Sequence, residues 1–310
     1  MKLLLVVGLV ILLSMTCCKP YRFKSRLQSH FQHQYYPRYR RPITHTTYFP
    51  PDFVNFKMTH PDSELTGRVI GGRNARREIK YQLRLTVTKA NGNKNFCGAA
   101  LVSMKGVQFG ITAAHCVDTV SPSYARIIAG DYSLYYYANE QYRTPSKLVM
   151  HELYNRDSLA NDIALLFYTT PFKTNSYVGT IRLPEYLWDI PAYVQISGWG
   201  STAVGTNPIY PDILQVAELY SLRPNCDMFR GWGVTWKQIC LLQSGVGSCI
   251  GDSGGPVVAR NTTNDIKYLV GISSYGSGDC SSSTPSVLTR VSAYIDWIES
   301  QVANYQKKLG

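Results

Sequence analysis

From Val69 onward the chain keeps returning to one pattern, a short apolar or alternating run followed by a polar, turn-forming stretch. The runs include "YQLRLTV", "GVQFGIT", "ARIIAG", "IALLFY", "YVQISGW", "GPVVA" and "KYLVGISSY", parted by segments such as "KANGNKN" and "RNTTND". Many strand-length runs at such spacing predict an antiparallel sandwich or barrel. One helix stands out, at the end of the chain. Ile295, Ile298, Val302 and Tyr305 follow one another at spacings of 3, 4 and 3, and so share a helical face. No internal repeat is visible. The expected fold is all-β with a C-terminal α-helix.

The N-terminus differs. Met-Lys leads into "LLLVVGLVILLSM", residues 3–15, which is the layout of a secretory signal peptide: a positive charge, then an apolar core. The run falls short of the ~20 residues that a membrane-spanning helix needs. Residues 1–18 are therefore read as a signal peptide cut near Cys18, and the rest as secreted. Residues 19–68 are rich in Tyr, His, Arg and Pro and show neither helical nor strand period, so a largely disordered tail is expected. The tail holds nine Lys/Arg against three Asp/Glu, half of the net charge of +12. The +5 left to residues 69–310 is ordinary for the length, and no aromatic–basic motif accompanies it. A nucleic-acid partner is not expected. Past the signal boundary stand Cys97, Cys116, Cys226, Cys240, Cys249 and Cys280, with no C-x-x-C among them. Structural disulfides are the expectation for a secreted chain, and six cysteines allow fifteen pairings.

"GVGSCIGDSGGPVV", residues 245–258, sets Ser253 among glycines with Asp252 just before it. A serine hydroxyl is a poor nucleophile until a neighbouring base takes its proton. Gly251-Asp252-Ser253-Gly254-Gly255 satisfies the G-x-S-x-G pattern of α/β-hydrolases, but in those enzymes the histidine follows the serine. Here the last histidine is His151, so that reading fails. Outside the tail, His115 and His151 are the two possible bases. His151, in "KLVMHELYN", fits a surface or packing role. His115, in "GITAAHCV", closes an apolar run beside Cys116, and taken alone it reads as a structural histidine. Asp162 opens "DIALLF", where a charge leading into a buried strand costs heavily unless paired. It is either the cap of that strand or a carboxylate that orients an imidazole.

"TAAHC", "NDIAL" and "GDSGGP", in that order, resemble the three signature blocks of the trypsin/chymotrypsin family of serine proteases. The order His, Asp, Ser sets this family apart from α/β-hydrolases and subtilisins. The resemblance spans residues 69–310 and implies two six-stranded antiparallel β-barrels with a cleft between them. It implies His115 as general base and then acid, Asp162 as its orienting carboxylate and Ser253 as nucleophile. The backbone N–H groups of Gly251 and Ser253 are then the oxyanion hole. "GRVIGG", residues 67–72, resembles the activation site of the family, where cleavage after Arg68 frees Val69 to pair its ammonium with Asp252. Residues 19–68 then become a propeptide, removed by a separate activating protease.

The same resemblance implies the bridges Cys97–Cys116, Cys226–Cys240 and Cys249–Cys280. It places the primary specificity position at Gly247, where trypsin-like members carry Asp, with Gly276 and Ser286 on the pocket wall. Ser274, Tyr275 and Gly276 correspond to the strand that pairs with the substrate backbone. A pocket without charge is expected to take a large apolar or aromatic side chain. Elastase-like preference for smaller side chains is the alternative. Asp131 and Glu140 bracket a loop that binds calcium in some relatives, but the ligand set is incomplete, and neither a metal nor another cofactor is expected. Asn261-Thr262-Thr263 is an N-glycosylation sequon. Expected partners are protein or peptide substrates, the activating protease and protein inhibitors, with no membrane. The rival class is a homologue that has lost catalysis and serves as an extracellular binding protein. Such homologues usually lose the serine or the histidine, and both stand here.

Overall fold

The computed structural model describes residues 72–75, 79–89, 92–136, 138–203, 209–221, 233–242, 248–276, 280 and 285–308. The segments expected to be a signal peptide and a propeptide, with Arg68, Val69, Cys226 and Gly247, lie outside the described residues. The first half supplies β1 (Arg73–Asn74), β2 (Gln82–Thr88), β3 (Lys94–Met104), β4 (Val107–Thr112), β5 (Ala125–Ala129), β6 (Gln141–Arg143), β7 (Lys147–Met150) and β8 (Ala164–Phe167). The second half supplies β9 (Tyr193–Gly198), β10 (Gln215–Tyr220), β11 (Gln238–Leu241), β12 (Pro256–Arg260), β13 (Lys267–Tyr275) and β14 (Ser286–Arg290). Among the described residues two α-helices accompany them, the single turn α1 (Ala114–Val117) and the terminal α2 (Ile295–Gln306).

The strands form two antiparallel sheets, ordered β6-β5-β2-β3-β4-β8-β7 and β1-β10-β9-β12-β13-β14-β11. The chain is mostly β with a C-terminal helix, as expected. Each sheet ends on one strand of two or three residues, β1 or β6, which brings each count to seven. On β2, Leu83, Leu85 and Val87 are buried at alternate positions while Arg84 and Thr86 are partly exposed. That is the period of a strand with one face on a core. β8 departs from it, with Ala164 to Phe167 all fully buried. The reason is α2, which buries Ile295, Ile298, Val302 and Tyr305 and stacks the Tyr305 ring on Phe167 at 4.3 Å.

The two sheets meet at a pair of glycines. A Cβ on Gly98 of β3 would stand 2.5 Å from the Cα of Gly255, so no side chain fits there. Close by, Ser197 Oγ on β9 donates to Gln82 Oε1 on β2 at 2.7 Å, and both groups are buried. Cys97–Cys116 ties α1 to β3, and Cys249–Cys280 closes the C-terminal loops. Cys240 is disulfide-bonded as well.

Arg84 solves a local electrostatic problem. Its Nε contacts Asp131 Oδ2, and its Nη2 stands 3.7 Å from Glu140 Oε1. The Asp131 and Glu140 side chains are 0% and 1% exposed. Burial pushes both carboxyls up, Glu140 to about 7, and Arg84 opposes the rise. With a guanidinium already shared between them, the two carboxylates do not fit a calcium site. Arg84→Met should strand two buried acids and cost about 3–5 kcal/mol, lowering Tm by roughly 10 °C. Calorimetry checks this, and millimolar calcium or a chelator should leave the Tm of the parent chain unchanged.

Candidate active site

His115 sits in α1, directly after β4. The turn is fixed from two sides. Thr112 Oγ1 donates to Gly98 O at 2.8 Å, and Cys116 is bridged to Cys97. Asp162 meets this turn with both oxygens. Oδ1 accepts the His115 backbone N–H at 2.9 Å, and Oδ2 lies 2.8 Å from His115 Nδ1. A carboxylate opposite Nδ1 holds the ring proton there and leaves the Nε2 lone pair free to accept another.

Asp162 is buried, yet it is well supplied with donors. Oδ2 also accepts the Ser274 hydroxyl at 2.6 Å, and its carbonyl accepts Thr289 Oγ1 at 2.6 Å. The preceding Asn161 adopts a left-handed backbone, φ 54°. Its amide oxygen accepts from Lys237 Nζ and Tyr294 OH at 3.2 Å each, and its Nδ2 donates to Leu153 O at 2.8 Å. Asp162 therefore does not cap its own strand; it is aimed at His115. His151 has the packing role that its surroundings imply. It lies against Trp297 and Tyr294 at 5.0 and 5.4 Å, and burial lowers its pKa.

Ser253 lies on a tight loop pinned to both sheets. Its carbonyl accepts the Gly98 N–H at 2.8 Å, while the Gly254 N–H donates to Ser273 O at 2.8 Å. Gly254 has φ +75°, and a Cβ there would reach 2.1 Å from Thr112 Oγ1 and 3.2 Å from Ala113 N. The loop thus rests against the start of α1, which carries His115. Gly251 has φ +102°. Among the described residues neither the Gly251 nor the Ser253 N–H has an acceptor. No hydrogen bond joins Ser253 Oγ to His115. Such contacts are commonly loose before substrate binds.

Below the loop, Asp252 is buried and, among the described residues, accepts two backbone donors, Gly200 N–H at 2.9 Å and Cys249 N–H at 3.0 Å. Burial pushes its carboxyl up to about 6, against the effect of those two N–H groups. Cβ atoms on Gly198 or Gly200 would lie 2.1 and 2.3 Å from this carboxyl group, so both glycines are required by it. Beside His115 opens a groove of about 360 Å³, lined among others by Tyr154, Leu159 and Ser274. At the expected pocket wall, Ser248 Oγ donates to Ser286 Oγ at 2.9 Å, and a Cβ on Gly276 would stand 3.7 Å from Ser286 Oγ. Tyr275 is half-buried, with its hydroxyl 3.4 Å from Gln238 Nε2. No local signal announces the Ser274–Asp162 or Ser248–Ser286 bonds, since each joins residues 38 or more positions apart.

The family model described as Trypsin matches residues 69–298. Trypsin I-P1 of Gallus gallus is 34% identical over 258 residues, covering 81% of this chain and 96% of that protein. Trypsin-1 of Astacus astacus is 35% identical over 241 residues, covering 75% and 99%. Anionic trypsin of Bos taurus is 33% identical over 258 residues, covering 81% and 96%. With these matches running through the whole described fold, the chain belongs to the trypsin family of serine endopeptidases.

Proposed function

We propose that the chain is secreted as a zymogen and, once cut after Arg68, hydrolyses peptide bonds with Ser253, His115 and Asp162, preferentially after large apolar or aromatic residues. One observation carries this reading: Asp162 grips His115 by both oxygens, while the N–H groups of Gly251 and Ser253 have no acceptor among the described residues. In the reaction His115 Nε2 takes the Ser253 proton as Oγ adds to the scissile carbonyl. The oxyanion accepts from Gly251 and Ser253, where losing one donor costs about 10²–10³ in rate. His115 then hands its proton to the departing amine, leaving an acyl-serine. Water repeats the cycle on that ester, and Asp162 stabilises the imidazolium at each crossing.

Asp252 supports the zymogen reading. It is a buried carboxyl with no cation within reach among the described residues. The ammonium of Val69, freed by the cut, supplies a partner of the right sign. Residues 1–18 act as the signal and 19–68 as the propeptide. No helix among the described residues is long and apolar enough to cross a membrane. Asn261 turns back on itself in the β12–β13 loop, accepting the Thr263 N–H at 2.8 Å, a place where a glycan is tolerated. As for specificity, the relatives are named trypsins, but the pocket position that holds Asp in trypsin-like members is Gly247 here. The two wall hydroxyls of Ser248 and Ser286 satisfy each other, which leaves an uncharged lining. Elastase-like preference is the second outcome of a peptide-library profile.

After cleavage at Arg68, a fluorophosphonate should label the parent but not Ser253→Ala. Failure to label the cut parent would return the chain to the class of inert binding homologues. Asp162→Asn should lose roughly 10⁴ in kcat, because the ring proton moves to the wrong nitrogen, and Arg68→Ala should stay inactive under the activating protease. In the uncut chain, a carboxyl raised from 3.8 to about 6 stabilises the fold below its unfolded value and loses that contribution as pH rises. Unfolding free energy should therefore drop by roughly 3 kcal/mol between about pH 4 and pH 6 relative to Asp252→Asn. Denaturant titrations across that window give the answer.

A further inference from the structure

The proposed reaction needs Asp162 held at one angle to His115, and the grip on it reaches into the second sheet. We propose that Lys237 is a positioning residue for that reaction: its ammonium, bonded to the Asn161 amide oxygen, fixes the turn that aims Asp162 at His115. This rests on the endopeptidase reading above and deepens it.

Asp162 stands at the centre of a three-residue turn. The Ile163 N–H donates to Asn161 O across it at 2.9 Å, so the tilt of Asn161 sets the direction in which the Asp162 side chain leaves the backbone. Asn161 is left-handed, φ 54°, a conformation that asparagine tolerates but that costs free energy unless the surroundings enforce it. Its side chain supplies the enforcement. Nδ2 donates to Leu153 O at 2.8 Å, while Oδ1 accepts from Tyr294 OH and Lys237 Nζ, each at 3.2 Å. Of these three partners only Lys237 is charged, and a bond from an ammonium is roughly twice as strong as one between neutral groups.

The lysine is itself well fixed. Its carbonyl accepts the Arg290 N–H at 2.9 Å, and its N–H donates to Thr235 Oγ1 at 3.3 Å. The ammonium stands 5.3 Å from the centre of the Tyr294 ring and 5.8 Å from that of Trp236. Among the described residues it has no ion pair, so the Asn161 oxygen is where its charge is spent. The field of Asp162 reaches this place. It adds to the rise that burial gives the Tyr294 phenol, which keeps that hydroxyl protonated as a donor. A cation sharing the same acceptor oxygen lies within that field. Thr289 of β14 and Ser274 of β13 complete the hold, donating to Asp162 O and Oδ2 at 2.6 Å each. With Lys237 directly before β11, three neighbouring strands of one sheet grip the Asn161–Asp162 unit.

The test measures the cut enzyme on a short peptidyl anilide. Rates are expressed per site titrated with a fluorophosphonate, so that any unfolded fraction drops out. Lys237→Met keeps an apolar stem against the two rings and removes the ammonium. It should lower kcat roughly tenfold, less than the ~10² that misplacement by a full ångström costs. KM should stay within about twofold, since no substrate contact is lost. Asn161→Gly keeps the left-handed backbone, removes the amide and should show the same signature. Because the lysine acts through that amide, adding Lys237→Met to Asn161→Gly should cost no more than about a further twofold. An unchanged kcat in Lys237→Met overturns the proposal. So does a rise in KM at constant kcat, or a double variant in which the two losses multiply. A cut parent whose Ser253 cannot be titrated refutes the endopeptidase reading instead.

Discussion

The contact between Gly98 and Gly255 sets the distance on which everything else depends. With a Cβ only 2.5 Å from the opposing Cα, any side chain at Gly98 would push the sheets apart. The same residue also serves as a register pin. Its N–H bonds to Ser253 O, and its carbonyl accepts Thr112 Oγ1, three residues before His115. One backbone unit therefore fixes both the loop of the proposed nucleophile and the entry to the helix of the proposed base. Because these are short bonds between rigid elements, the geometry they impose needs little side-chain ordering, the kind of preorganisation that catalysis by orientation requires.

Among the described residues Asp131, Asp162 and Asp252 are the buried aspartates, and each is stabilised differently. Asp162 is surrounded by side-chain and backbone donors, the imidazole that it orients among them. Asp131 is neutralised by a guanidinium on the neighbouring strand. Asp252 has two backbone N–H groups and nothing charged among the described residues, and it is the one of the three whose carboxyl is pushed up to about 6. A buried charge without a counter-charge is a stored cost. In the first two the main partner is already in place. The third is relieved only when a cation arrives, which is why a new N-terminus carries information in the proposed activation.

Much of this was legible in the chain itself. The alternating run of β2 and the 3, 4, 3 spacing of α2 follow from the two periods of regular structure, and they appear where expected. β8 was less transparent, because "IALLFY" is apolar throughout, and only the stacking of Tyr305 on Phe167 explains burial on both faces. The blocks around His115, Asp162 and Ser253 mark residues but carry no distances. The Ser274 hydroxyl on Asp162 and the Arg84 bond to Asp131 are 112 and 47 positions apart. Such pairs are created by sheet topology, and no local propensity announces them. The same holds for Phe96, which reads as one more strand residue until Gly251 is seen beneath its ring.

In the proposed reading, a specificity pocket without charge has an energetic consequence for the rest of the groove. Burying an apolar side chain separates substrates by only ~1–3 kcal/mol, whereas a buried ion pair would add a strong requirement for one charge. Selectivity then has to be spread along the chain. Binding remote from the reacting carbonyl also raises the rate when it is used to align that carbonyl with its donors. A Cβ on Gly251 would stand 2.9 Å from Phe96 Cε2, so the ring fills the space that a side chain would need beside the glycine carrying one of the proposed oxyanion donors, and that donor's backbone is held by packing as well as by its loop.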